Sequence, residues 1–149
     1  MTAPRTAQDE NIGLLLFLPY RELEGRVMAA LAAAGFDDIT LAQARIAQRI
    51  GPRGTRLTDL AEQARVTKQT AGFLVDQLER AGYVERVPDP SDGRARLVRI
   101  AGRGRDVAAV AEATVADVEA DWTAHLGGDL MGQLKVALTR LREITDPYA

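Results

Sequence analysis

Two short helical patterns, "LTDLAEQA" and "KQTAGFLVDQLER", stand only three residues apart, and no other feature of the 149-residue chain constrains its fold as tightly. In the first, Thr58 is placed to cap a short helix ending near Ala64, with Asp59 and Glu62 in a first turn where the helix dipole favours acid. Thr67 caps the second, which runs to just before Gly82. So short a connection makes the pair a helix-turn-helix. Tyr83–Val87 and Ala95–Ile100 then have strand-like spacing, and the Pro-Asp-Pro-Ser-Asp-Gly stretch reverses the chain between them. A helix-turn-helix followed directly by a hairpin is a winged helix.

The flanking segments are helical as well. Ile12, Leu15, Leu16, Leu23, Val27, Ala30 and Leu31 recur at mostly helical spacing within residues 9–34. Pro19 predicts a kink or a restart there, and Gly35 a stop. Thr40 and Gln43 predict a capping box for a helix that runs to about Ile50 and is closed by Gly51-Pro52. After the wing, Val107, Ala111, Val115, Val118, Trp122 and Leu126 make one stripe. Gly127-Gly128 breaks it, and Asp129 caps a last helix striped by Leu130, Leu134, Ala137, Leu138, Leu141 and Ile144. The expected fold class is mainly α with a small β-hairpin wing. It is one domain, with a winged lobe over residues 36–101 and flanking helices over 9–35 and 102–146.

Composition excludes several classes of function. The chain has no cysteine and a single histidine, His125, so thiolate metal sites, disulfides and thiol redox sensing are ruled out within it. We expect no metal and no cofactor. No phosphate loop and no nucleophile with a nearby histidine is present, so the expectation is a protein that is not an enzyme. The longest apolar run, Ile12–Tyr20, is interrupted by Gly13 and Pro19 and is too short to span a bilayer. A cytoplasmic protein without membrane contact is therefore expected.

The formal net charge of -2 conceals a segregated field. Residues 45–105 carry 13 Lys and Arg against 7 Asp and Glu, while the remainder carries 6 against 14. A basic middle between acidic ends suits a polyanion held by one face. In the second helix of the pair, Ala71, Leu74, Val75 and Leu78 share an inward face, so Gln69, Phe73, Asp76 and Arg80 lie opposite, flanked by Lys68, Thr70 and Gly72. Gln and Lys suit the edges and phosphates of a major groove, Gly72 permits close approach, and the cap at Thr67 turns free N–H groups toward a phosphate. Phe73 needs either a thymine methyl or a protein neighbour. On the hairpin, Arg94 suits a narrow minor groove, with Arg86, Arg96 and Arg99 on the strands beside it. Asp92 is expected to pair with an arginine and hold the turn.

The stretch "LTDLAEQARVTKQTAGFLVDQLERAGYVERVPDPSDGRARLVRIAGRG", and above all its Asp-Pro-Ser-Asp-Gly-Arg wing, resembles the MarR (multiple antibiotic resistance regulator) family of bacterial transcription factors. The order of the other helices extends the resemblance over nearly the whole chain. It implies a homodimer of intertwined terminal helices in which each subunit offers one winged helix to half of a palindromic operator in double-stranded DNA. It also implies recognition positions at Lys68, Gln69, Thr70, Gly72 and Phe73, with Asp92 and Arg94 as the wing pair; Thr67 at its cap and Gly93, Arg96 and Arg86 on the hairpin complete the expected DNA-binding set. Two departures stand out: Ala101 replaces a capping Thr or Ser, leaving Gly102 to open the next helix, and Phe73 replaces a common arginine.

The terminal stripes point to a dimer independently, because long amphipathic helices bury little against a small winged helix. Leu15, Phe17, Leu18, Trp122, Leu126, Leu130, Leu134, Leu138 and Leu141 are the expected interface. The other reading is a monomer with those stripes folded inward. The resemblance also implies a small apolar or aromatic effector between the lobes, for which Phe17, Tyr20 and Trp122 are candidates, although a Trp on a helix stripe also suits a core. The expected function is a DNA-binding regulator, more readily a repressor than an activator. The alternative is a winged helix used for protein contacts, which a steep salt dependence of DNA binding would exclude.

Overall fold

The computed structural model describes residues 10–148. Six helices and one hairpin follow in the order α1 (Ile12–Ala33), α2 (Leu41–Ala47), α3 (Leu57–Ala64), α4 (Lys68–Arg80), β1 (Val84–Asp89), β2 (Asp92–Ile100), α5 (Gly102–Leu126) and α6 (Gly128–Thr145). The segment with Pro19 is a single element, with no restart. Pro19 falls within its outward first half, where every residue from Asn11 to Tyr20 is exposed. The Asn11 side chain caps α1 by accepting from the Leu14 N–H at 2.9 Å; residue 9, where the sequence reading begins the helix, lies outside the described residues.

Local capping chemistry explains most boundaries. Thr40 and Gln43 form the expected reciprocal box at the start of α2, which ends at Ala47, short of Ile50. Thr67 caps α4 by accepting from the Thr70 N–H at 3.0 Å. At α3, however, the cap position is Arg56 and not Thr58, and no side chain caps the helix. Asp129 likewise lies inside the first turn of α6, whose cap position is Gly127. Ala101 occupies the cap position of α5 without a side-chain bond, and Gly102 is the first helical residue. The turn between α3 and α4 passes through Arg65 at φ 54, a left-handed conformation unusual for a residue with a side chain.

One core joins the winged elements. Leu31, Ile39, Ile46, Leu60, Leu74, Val75, Leu78, Tyr83, Val84 and Val98 form a continuous buried cluster. All four residues expected on the inner face of α4, Ala71, Leu74, Val75 and Leu78, are buried there. β1 and β2 pair antiparallel with Val84 opposite Ile100 and Pro88 opposite Arg96, so the strands are longer and the turn tighter than the sequence spacing indicates. The other edge of β2 is anchored by Thr55, which exchanges hydrogen bonds with Val98 at 2.8 and 2.9 Å. Gly54, at φ 92, makes this approach possible: a Cβ there would sit 2.9 Å from Leu97 Cβ.

α5 is joined to the winged lobe by an unusually close backbone contact. A Cβ at position 104 would lie 2.1 Å from the Tyr83 carbonyl oxygen, so glycine is required at Gly104. Beside it, the Arg103 guanidinium lies 4.4 Å from the centre of the Tyr83 ring and donates to Asp38 at 2.8 Å and to the Ala81 carbonyl at 3.0 Å. The Tyr83 hydroxyl donates to Asp38 as well. These bonds hold the Asp38 carboxyl below its usual range, Arg103 first and Tyr83 second. Burial, and then the Asp38 carboxylate, push the Tyr83 phenol up to about 12.

The far ends of α1, α5 and α6 form a second lobe with a different surface. Arg26 pairs with Asp121 at 2.7 Å and Lys135 with Glu119 at 3.1 Å, tying the three helices together. Many apolar side chains nonetheless face outward, including Phe17 at 53% exposure, Leu130 at 52% and Leu138 at 42%. After α6 the chain returns to the winged lobe, where the Tyr148 hydroxyl donates to Glu62 and Asp146 accepts from Arg49. No helix among the described residues is long and apolar enough to cross a membrane.

Candidate nucleic-acid interface

The exposed surface of α4 begins at its cap. Thr67, Lys68, Gln69 and Thr70 are all exposed, and the Thr67 hydroxyl donates to the Thr70 hydroxyl at 2.9 Å, stiffening the first turn. Phe73 continues this face at 61% exposure. Gly72 does not: it is half-buried, and a Cβ there would meet Leu57 Cδ2 at 3.7 Å. That spacing is an ordinary packing contact, so Gly72 faces α3 and the room it leaves is not on the outer surface.

The hairpin divides the four arginines around it into two pairs. Arg94 and Arg96 are exposed and make no ion pair among the described residues, and Gly93 is exposed beside them. Arg99 pairs across the strands with Glu85 at 2.6 Å. Arg86 is turned back onto α4, where its guanidinium donates to Asp76 at 2.8 Å and to Glu79 at 3.0 Å. The Glu79 carboxylate also accepts from the Arg86 backbone N–H at 3.0 Å. Arg86 thus neutralises acid on α4 and pins the root of the wing to that helix, a placement its spacing within the strand did not disclose.

Two aspartates shape the turn. Asp92 accepts from the Arg94 backbone N–H at 3.1 Å, and its nearest cation is Arg56 at 4.0 Å. Its arginine partner is thus a backbone amide and a distant guanidinium, not the Arg94 side chain. The stronger fastening is Asp89, which the sequence reading passed over. It is 7% exposed and accepts from the N–H and hydroxyl of Ser91 and from Nε and Nη2 of Arg56. These donors, the Ser91 N–H foremost, hold the Asp89 carboxyl down at about 2. The available signal was an aspartate two residues before a serine in a turn, a spacing that favours side chain to backbone bonding.

The second lobe brings together two of the three aromatic effector candidates. Tyr20 and Trp122 line a groove of about 700 Å³ with Leu15, Leu16, Pro19, Leu23, His125, Leu126, Leu134 and Leu138. Phe17 is not part of that lining; its ring lies 5.8 Å from the Arg21 guanidinium. Tyr20 also lines a smaller cavity of about 140 Å³ between α1, α2 and α5. At its mouth Arg45 makes a forked pair with Glu24, both bonds 2.9 Å. That pair holds the Glu24 carboxyl below its usual range. Among the described residues no three His, Asp or Glu side chains gather as a metal site.

A capped helix presented with an open cationic hairpin tip on a helix-turn-helix core defines a winged helix-turn-helix DNA-binding protein. Comparison with known proteins gives the same architecture. The model of the MarR family matches residues 37–95. The HTH-type transcriptional repressor Rv2887 of Mycobacterium tuberculosis is 32% identical over 136 residues, which span 91% of this chain and 96% of that protein. The crystal structure of Rv2887 in complex with salicylic acid matches with a TM-score of 0.65, covering 91% of this chain and 99% of that one. CouR from Rhodococcus jostii RHA1, bound to p-coumaroyl-CoA, matches at 24% identity and a TM-score of 0.71 over 97% of this chain and 99% of that one. The chain belongs to the MarR family of transcriptional regulators.

Proposed function

We propose that this regulator is a repressor that binds an inverted-repeat operator as a homodimer in the cytoplasm and is released by a small apolar or aromatic ligand. The observation that carries the reading is the separation of its surfaces. Lys68, Arg94 and Arg96 are open cations on the winged lobe, whereas the exposed apolar side chains of the first half of α1 and the start of α6, Phe17 and Leu130 among them, lie on the other lobe. A second copy covering the apolar face leaves two cationic heads free, and a twofold pair of heads suits half-sites about one duplex turn, ~34 Å, apart. In this assembly Leu15, Leu18, Leu126, Leu130, Leu134, Leu138 and Leu141 supply the interface, with Phe17 and Trp122 at its edge.

On the DNA, Thr67, Lys68, Gln69, Thr70 and Phe73 face the major groove, and Gly93, Arg94 and Arg96 reach the adjacent minor groove. Gly72, Arg86 and Asp92 support those elements from behind. Ligand release draws support from the relative whose structure holds salicylic acid and from the groove lined by Tyr20 and Trp122. The role is one of binding, with no reaction assigned.

Selection from random duplexes tests the reading. It predicts an enriched inverted repeat whose affinity falls steeply with salt, as phosphate contacts release counterions. Failure to enrich any motif at low salt, or a lone protomer in sedimentation, overturns it. Trp122 is the only tryptophan, so its emission reports ligand entry into the groove directly.

A further inference from the structure

Phe73 is an isolated apolar feature on a polar surface. Its ring is 61% exposed on the outward face of α4, one helical turn beyond Gln69. The one aromatic pair among the described residues is Phe36–Tyr83, and the guanidinium contacts with rings involve Phe17, Phe36 and Tyr83, so no ring or guanidinium among the described residues stacks on Phe73. Its surroundings on the helix are Lys68, Gln69, Thr70 and Asp76. α4 packs chiefly against α2, α3 and β1, with neither α1 nor α6 among its main neighbours.

The next position along the same face is closed. Asp76 is occupied by Arg86 at 2.8 Å, so the next exposed side chain of the outward face beyond Phe73 that stands outside this ion pair is Arg80, about two turns on. A surface that presents a single phenyl among amide, hydroxyl and ammonium groups fits a partner with one apolar point set among donors and acceptors. The major groove offers this wherever thymine presents its C5-methyl group.

We propose that Phe73 is a specificity-determining residue that reads the C5-methyl of one thymine in each operator half-site. The proposal rests on the DNA-binding reading given above and adds a base to it. Four residues of helix separate Gln69 from Phe73, a rise of ~6 Å. The base rise along one strand is ~3.4 Å. The thymine therefore lies about one to two base pairs from the base that Gln69 contacts.

The experiment uses the full chain and the operator recovered by selection, at low ionic strength so that weakened variants remain measurable. Each thymine in turn is replaced by deoxyuridine, which deletes the methyl and keeps base pairing and the groove's hydrogen-bonding groups. The wild-type protein should lose about fourfold in affinity at one thymine per half-site, the worth of one buried methyl. Phe73→Ala should bind the operator more weakly, show no loss at that thymine, and bind unrelated duplex as the wild type does. Phe73→Leu should retain most of the sensitivity, and unchanged melting of both variants shows that they fold. A flat deoxyuridine scan of a bound operator, or the same sensitivity in Phe73→Ala, overturns the proposal and leaves the DNA-binding reading intact. Failure to recover any operator removes both.

Discussion

The buried carboxylate of Asp89 and the guanidinium of Arg56 are joined by hydrogen bonds of 2.9 and 2.7 Å, so the last residue of β1 is tied to the residue that precedes α3. The tip of the wing is therefore oriented by the helix-turn-helix itself and not by the hairpin alone.

This fastening predicts an acid limit to wing stability. The Asp89 carboxyl sits at about 2 in the folded chain against an ordinary 3.8. A carboxyl lowered on folding stabilises the native state above its unfolded value, and that contribution disappears as pH falls through the folded one. Unfolding followed at a series of pH values should show stability declining between about pH 4 and pH 2, and Asp89→Asn should flatten that segment. An unchanged acid limb in the variant would show that Asp89 is not its source.

The alkaline limb should report on Tyr83. Its phenol is raised from 10.0 to about 12, so the folded state keeps a proton that the unfolded chain releases. Stability from this group is complete below about pH 10 and is lost as pH climbs toward 12. Tyr83→Phe should remove this part of the pH dependence, measured by denaturant unfolding in alkaline buffers.

Arg86 and Arg94 should differ in kind. Arg94→Ala should weaken operator binding by about 1–3 kcal/mol per subunit and lower the salt slope by about two, roughly one for each wing of the dimer. Arg86→Ala should leave the salt slope unchanged, because that guanidinium is engaged by Asp76 and Glu79. With the root of the wing unpinned, Arg94→Ala should then cost less in the Arg86→Ala background than in the wild type. Strictly additive losses, or a lower salt slope for Arg86→Ala, would make Arg86 a direct phosphate contact.

Two glycines should respond oppositely to alanine. Gly104→Ala places a Cβ 2.1 Å from the Tyr83 carbonyl oxygen and should destabilise by about 1–3 kcal/mol or more. Gly25→Ala, inside α1 with nothing within 4 Å of its Cβ, should stabilise by up to ~1 kcal/mol. Thermal unfolding of the two variants gives the comparison directly.

The parts of the fold legible in the sequence are those set by neighbours along the chain. The Thr40–Gln43 box, the Thr67 cap and the inner face of α4 follow from periodicity and capping and stand as expected. What escaped depends on partners distant in sequence. Arg56 takes the cap position of α3 while its side chain is committed to Asp89, thirty-three residues on. Arg86 turns to Asp76 and Glu79 because they lie across the junction of helix and strand, where strand alternation alone gives no direction. Arg65 was hidden for another reason: its left-handed turn is a conformation that sequence usually signals with glycine. Along α4, spacing located the exposed side chains of Thr67, Lys68, Gln69, Thr70 and Phe73 and misplaced Gly72, whose lack of a side chain conceals which neighbour it touches.

The close seating of Gly104 on Tyr83, with Arg103 gripping the end of α4, makes the reading head and the start of α5 one rigid lever. α5 is twenty-five residues long, a span of ~37 Å. A tilt of roughly five degrees at one end of such an arm displaces the other by ~3 Å, close to the ~3.4 Å step from one base to the next. Register on a duplex is therefore sensitive to angles too small to disturb the packing of any single residue.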